Sequence, residues 1–292
     1  MIDATARIQR MKHIRQLTQI ESLHCWMAGY RGGGAKPMTI QILHCEVDLP
    51  RGIDAIIATS DLQSRETASG GALAGEILPL LLAVEILPTF FELEMTNVVV
   101  LLCGDFYADE RLEERGIAGD ASTTWLEFRD LFGCVAGVAG NHDSFPTQSD
   151  QFLHETGIYL LDGDIVSVKG MQIGGLGGIV SSKRLPHRRT EEAYVKMLAK
   201  LLDFEPDLLL MHDGPMCGQN VGNLRVAELI RKKPPTLIIR GHAHWHPRLV
   251  NIGKTQILNV HEAVVVMTPR TKVTEAGLKK LQQALPNCEI GH

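Results

Sequence analysis

A chain of 292 residues with 45% hydrophobic side chains can bury a sizeable core, as one large α/β domain or two small ones. Its formal net charge of -5 leaves no basic surplus to draw it onto nucleic acid, and 5% aromatic residues are too few for a base-stacking groove. Six scattered cysteines without a C-x-x-C read as reduced thiols, and no apolar signal core opens the chain, so the expected location is the cytoplasm.

Residues 1–50 read as an N-terminal arm, a helix followed by a leading strand. Ile8, Met11, Ile14 and Leu17 recur at helical spacing. A glycine-rich break follows at 31–37, and an alternating strand at 39–46. The arm is expected to serve packing or an oligomer contact. From residue 51 onward the chain reads as one domain. An apolar run at 53–59 ends on Ser60-Asp61-Leu62-Gln63, where Asp61 and Gln63 share a face of the extended chain. An Asp at that place also suits the cap of a following helix. Residues 69–94 form an apolar insertion, read as two packing helices broken at Pro79 and Pro88. Glu76, Pro79 and Glu85 interrupt it too often for a bilayer span.

The run at 97–103 is the clearest buried parallel strand, and it opens into Gly104-Asp105, where α/β sheets place their sites. After a helix at 123–132, the strand from Cys134 opens into Gly140-Asn141-His142-Asp143. The glycines at 173–180 lack the context of a phosphate-binding loop and read as tight sheet packing. A helix at 190–202 precedes a strand that delivers His212, and a shorter helix leads to the strand before Gly241-His242-Ala243-His244. Two imidazoles two residues apart face one point, as a borderline metal requires. The tail reads as an antiparallel meander over 248–251, 255–260 and 263–267, then a closing helix at 274–284.

Strand ends carrying Asp61/Gln63, Gly104-Asp105, Gly140-Asn141-His142-Asp143, His212 and Gly241-His242-Ala243-His244 form a series that resembles the calcineurin-like metallophosphoesterases. That family reads D-x-H, G-D, G-N-H-D/E, an isolated His and G-H-x-H. The resemblance runs from Asp61 to His244. It implies an α/β/β/α sandwich of two mixed sheets with the site at strand C-terminal ends. It also implies two divalent metal ions, bridged by Asp105 and a hydroxide. Asp61, Gln63, Asp105 and His244 would hold one, and Asp105, Asn141, His212 and His242 the other. His142 would donate a proton to the leaving oxygen, with Asp143 fixing its tautomer, and Asn141, His142 and Arg65 would contact the substrate. Manganese heads the candidate metals, ahead of iron, zinc, magnesium or nickel.

The chemistry is coherent on its own terms. Phosphate esters repel hydroxide, and two cations neutralise that charge while lowering the pKa of bound water from about 15.7 towards 7. Two departures stand out. Gln63 replaces the histidine of D-x-H, which predicts looser occupancy of the first metal position and a shift towards Mn or Mg. The acid after Gly104-Asp105 is Asp109, one residue late, and the Asp-Arg-Gly tail of protein phosphatases is missing. The resulting expectation is a phosphatase or phosphodiesterase acting on a small phosphorylated or nucleotide-like ester, without membrane partners. The alternatives are a non-catalytic scaffold on the same fold, which Gln63 favours, and a metal-dependent nuclease, which composition disfavours.

Overall fold

A computed structural model of the chain describes residues 14–30, 33–145 and 157–284. Two large mixed sheets carry it. The nine-stranded sheet runs Ile158–Leu160, Cys134–Gly137, Val98–Leu102, Ala55–Ser60, Ala263–Thr268, Ala35–Glu46, Thr18–Ala28, Arg65–Thr67 and Gly70–Leu73. The six-stranded sheet runs Asp164–Val168, Met171–Leu176, Leu208–Met211, Leu237–Arg240, Thr255–Asn259 and Leu249–Ile252. Val98–Leu102 shows why the central strands form: its five apolar side chains are all fully buried, as a strand covered on both faces requires.

Alternation then decides what each face meets. Ile56, Val99, Leu101, Ala136 and Val265 pack against Ile173, Leu208, Leu210, Ile239 and Leu258, so one apolar cluster joins the two sheets. Ile57, Val100, Val135, Val264 and Val266 face the other way, onto Leu78, Leu82, Trp125, Phe128 and Leu281 of the helices. On the far side of the smaller sheet, Leu209, Met211 and Ile238 meet Tyr194, Leu198, Val226 and Ile230 of helices Glu191–Leu202 and Leu224–Lys232. The apolar contacts thus run helices, sheet, sheet, helices.

Three expectations are corrected. Residues 18–46 are not an arm: Thr18–Ala28 and Ala35–Glu46 are antiparallel partners inside the main sheet, the second also bonded in parallel to Ala263–Thr268. The amphipathic helix expected over 8–17 falls largely outside the described residues, and Ile14 to Leu17 are not helical. The insertion does form helix, but unbroken. Ala74–Leu81 contains Pro79, a π turn at Leu82–Ile86 follows, and Leu87–Phe90 closes the run. The proline removes one donor, and the widened turn continues the helix instead of ending it. The third correction concerns the tail. Leu249–Ile252 and Thr255–Asn259 are an antiparallel pair in the smaller sheet, but Ala263–Thr268 crosses into the larger one. The crossing point is Val260-His261-Glu262. Among the described residues no helix is long and apolar enough to cross a membrane.

Candidate metal centre

The parallel strands Ala55–Ser60, Val98–Leu102 and Cys134–Gly137 end at one place, and Leu208–Met211 and Leu237–Arg240 end opposite them. Directly after these ends the backbone turns sharply. Asp61, Asp105 and His242 all take left-handed conformations, with φ of 59°, 60° and 67°. Non-glycine residues rarely do so, and the surrounding bonds hold them there. The amide of His242 donates to Asp61 Oδ2 at 2.8 Å, and that of His142 donates to Asp105 Oδ1 at 2.8 Å. Each loop is therefore fastened to a carboxylate from the next.

His212 is fully buried. Its Nδ1 lies 2.7 Å from the Cys103 carbonyl, which fixes the ring and leaves Nε2 directed into the site. Nε2 stands 3.3 Å from Asp105 Oδ2 but makes no hydrogen bond among the described residues, and the buried Oδ1 of Asn141 has no partner among them either. Donor atoms of Asp105, His212 and His242 all lie within 4.8 Å of one another. Orphaned buried donors converging on one point need an explanation, and a cation supplies it.

The electrostatics of these side chains agree. Burial opposes charge on His212, yet Asp105 and Asp61 overcome it and raise its pKa to about 10. Burial and the charge of His212 push His242 down to about 4. Burial would also raise Asp61 and Asp105, but His261 and His212 beside Asp61, and His212 beside Asp105, hold both carboxyls below their ordinary value. The two acids are thus ionised at neutral pH.

The remaining expected residues divide. Gln63 and the half-buried His142 share an open cleft of about 490 Å³ with Gly29, Tyr30, Glu113, Glu114, Arg115 and Gly116. The buried amide nitrogen of Gln63 has no partner among the described residues. His244 is not grouped with His212 and His242. Its Nε2 lies 3.3 Å from Glu262 Oε2, and its ring packs edge-on at 4.1 Å to His261.

Two expected roles are corrected. Asp143 does not fix the tautomer of His142: its Oδ2 accepts the amides of Asp105 and Gly140, both at 2.7 Å, and its Oδ1 accepts that of Phe106 at 2.8 Å. Arg65 does not face a substrate, because its buried guanidinium donates to the carbonyls of Gly71, Ala108 and Asp109. Three residues near the site escaped sequence reasoning. Arg188 donates to the Asn141 carbonyl at 3.2 Å. His261 and Glu262 sit at the crossing between the sheets, where a meander reading put a plain turn.

The family described as calcineurin-like phosphoesterase matches residues 55–246. No curated protein matches the sequence. Among solved structures, that of the protein TT1561 of Thermus thermophilus superposes with a TM-score of 0.51 at 17% identity, covering 71% of this chain and 88% of that one. At that identity the likeness speaks for the fold.

Proposed function

This chain belongs to the calcineurin-like phosphoesterase family, and we propose that it hydrolyses a small phosphorylated or nucleotide-like ester with two divalent cations. The observation that carries the reading is the fully buried Nε2 of His212, without a hydrogen bond among the described residues and held towards Asp105 beside His242. Asp105, Asn141, His212 and His242 would hold one cation. Asp61 and His244 would contribute to the other, with Gln63 facing the same cleft. When bound, such ions neutralise the ester's charge and bring the pKa of water within reach of neutral pH.

The protein's own groups do the rest. Asp105 ties down the His142 backbone, so the imidazole stands in the cleft where a leaving oxygen would emerge. As a proton donor there it would contribute about 10²–10⁴-fold. Arg188 adds a guanidinium beside Asn141, a fixed positive charge suited to an anionic substrate. Mixed oxygen and imidazole donors suit manganese, iron or zinc.

The test is hydrolysis of p-nitrophenyl phosphate and bis-p-nitrophenyl phosphate by metal-stripped protein resupplied with Mn, Mg, Zn or Ni. His142→Ala and Asp105→Ala run in parallel. Metal-dependent turnover lost in both variants supports the reading, and the preferred ester separates monoesterase from diesterase. Absence of turnover with any metal would point instead to a non-catalytic scaffold.

A further inference from the structure

The histidine missing from the first motif has a counterpart elsewhere in the molecule. His261 lies in the crossing between Thr255–Asn259 and Ala263–Thr268, far from Asp61 in sequence and beside it in space. The crossing is held in place from several sides. The Glu262 amide donates to the Ser60 carbonyl at 3.0 Å, Asn259 Nδ2 donates to the Ala243 carbonyl at 2.8 Å, and the His261 amide donates to Asn259 Oδ1 at 3.1 Å. Arg248 Nη1 donates to the His261 carbonyl at 2.7 Å. Glu262 adopts a left-handed φ of 50°, so the backbone is bent out of its ordinary range at this point too.

The His261 side chain is 9% exposed, and neither ring nitrogen makes a hydrogen bond among the described residues. A carboxylate nevertheless flanks each edge: Asp61 Oδ1 is 3.0 Å from Nδ1, and Glu262 Oε1 is 3.6 Å from Nε2. Glu262 Oε2 in turn lies 3.3 Å from His244 Nε2. Two ligands bonded to one ion at about 2.1 Å, at angles of about 90–120°, stand about 3.0–3.6 Å apart. The separations from Glu262 to His261 Nε2 and to His244 Nε2 both fall in that interval, and ligand atoms of His244, His261 and Glu262 lie within 4.8 Å of one another, while Asp61 on the opposite Nδ1 edge holds the His261 ring in place.

We propose that the cation on the Asp61 side of the site is held by His244, His261 and Glu262, with Asp61 fixing the His261 ring from its other edge. The crossing between the sheets supplies the imidazole that Gln63 cannot, and adds a carboxylate. This rests on the reading that the site takes divalent cations, and it changes which residues bind one of them. It also changes the metal preference. Two imidazoles and a carboxylate favour zinc, iron or manganese over magnesium, against the shift towards magnesium that a glutamine ligand would bring.

The measurement is the metal content of the full-length chain, stripped and then reconstituted with Zn²⁺ or Mn²⁺, by elemental analysis after gel filtration and by calorimetric titration. The wild type is expected to hold about two equivalents, as a two-metal site requires. Glu262→Gln and His261→Gln should lose one of these, or weaken one class of site more than about 100-fold, beyond the loss seen for residues that only orient ligands. Gln63→Ala should retain both. Far-UV circular dichroism of the metal-free variants checks folding, and Glu262→Gln carries the result if the buried His261 change disrupts the fold. Unchanged content and affinity in Glu262→Gln, or loss of an equivalent in Gln63→Ala, would overturn the proposal. One equivalent lost in this pattern, with no ester hydrolysis by the wild type, would leave the metal site standing and the phosphoesterase reading refuted. Turnover with unaltered metal content in Glu262→Gln would do the reverse.

Discussion

Asp143 Oδ2 accepts the backbone amide of Asp105 at 2.7 Å, so the two loops bearing the most acidic part of the site are joined by one carboxylate. The same group takes the amides of Gly140 and Phe106, and it is almost wholly buried. Burial and the nearby Asp105 charge push its pKa up to about 6, despite three donors favouring the ionised form. Removing this side chain leaves three buried N–H groups without an acceptor, each costing about 1–3 kcal/mol. Asp143→Ala should therefore lower unfolding stability by at least about 3 kcal/mol in the metal-free protein, with activity falling because Asp105 shifts. Chemical denaturation measures this directly. A wild-type midpoint with lost activity would instead assign Asp143 to proton transfer.

Gly104 illustrates how tightly the loops approach. Its φ is +88°, and a Cβ there would lie 2.3 Å from the Gly140 nitrogen and 2.8 Å from His212 Nδ1. Gly104→Ala incurs about 1–2 kcal/mol of left-handed backbone strain and about 1–3 kcal/mol of overpacking. It should lower the melting temperature and also reduce metal content, since His212 must move. A variant with wild-type melting and metal content would show that the strand ends can separate at no cost.

Much of the site was legible because buried parallel strands leave an unbroken apolar signal, and the residues after it carry chemistry. Val98–Leu102 leading to Asp105, and Leu237–Arg240 leading to His242, are of that kind. What escaped was long-range. Thr255–Asn259 and Ala263–Thr268 look like two arms of a meander, and no local pattern tells which sheet a strand joins. His261 and Glu262 therefore read as a turn, although the crossing aims them at Asp61. Thr18–Ala28 was hidden for a related reason: its alternation is half-buried and irregular, with a register shift between Gln19 and Glu21. Side-chain direction was equally out of reach. The spacing of His142 and Asp143 suggests an interacting pair, but adjacent residues on a turn point to different partners.

Arg65 offers a direct contrast between sequence and structure. A substrate contact predicts that its loss raises KM. The structure instead has it bonded to three backbone carbonyls, with the guanidinium 5.9 Å from the Tyr107 ring. Hydrogen bonds from a charged donor contribute about 1.5–3 kcal/mol each. Arg65→Gln should then lower stability by about 3 kcal/mol while KM stays at its wild-type value. Thermal unfolding and steady-state kinetics on the same preparation decide the matter. Intact stability with a raised KM would restore the substrate role.

His44 gives a pH dependence independent of the metal centre. It is 3% exposed, its Nε2 lies 3.0 Å from Thr268 Oγ1, and its ring packs 4.9 Å from Phe91. Burial lowers its pKa to about 4, against about 6.5 for an unfolded histidine. Above about pH 6.5 the ring is neutral in both states and the full stability is present. As pH falls from about 6.5 towards 4 the unfolded chain takes up the proton first, so stability is lost across that window. Below about 4 both states are protonated and this group adds no further slope. Linkage puts the loss between about pH 7 and pH 5 at about 2 kcal/mol. His44→Gln keeps a polar partner for Thr268 and cannot titrate, so its denaturation midpoint should fall less over the same interval. The buried carboxylates affect both proteins alike, and the difference between the two falls isolates His44. Equal falls would mean that the ring is solvated or already charged in the folded chain.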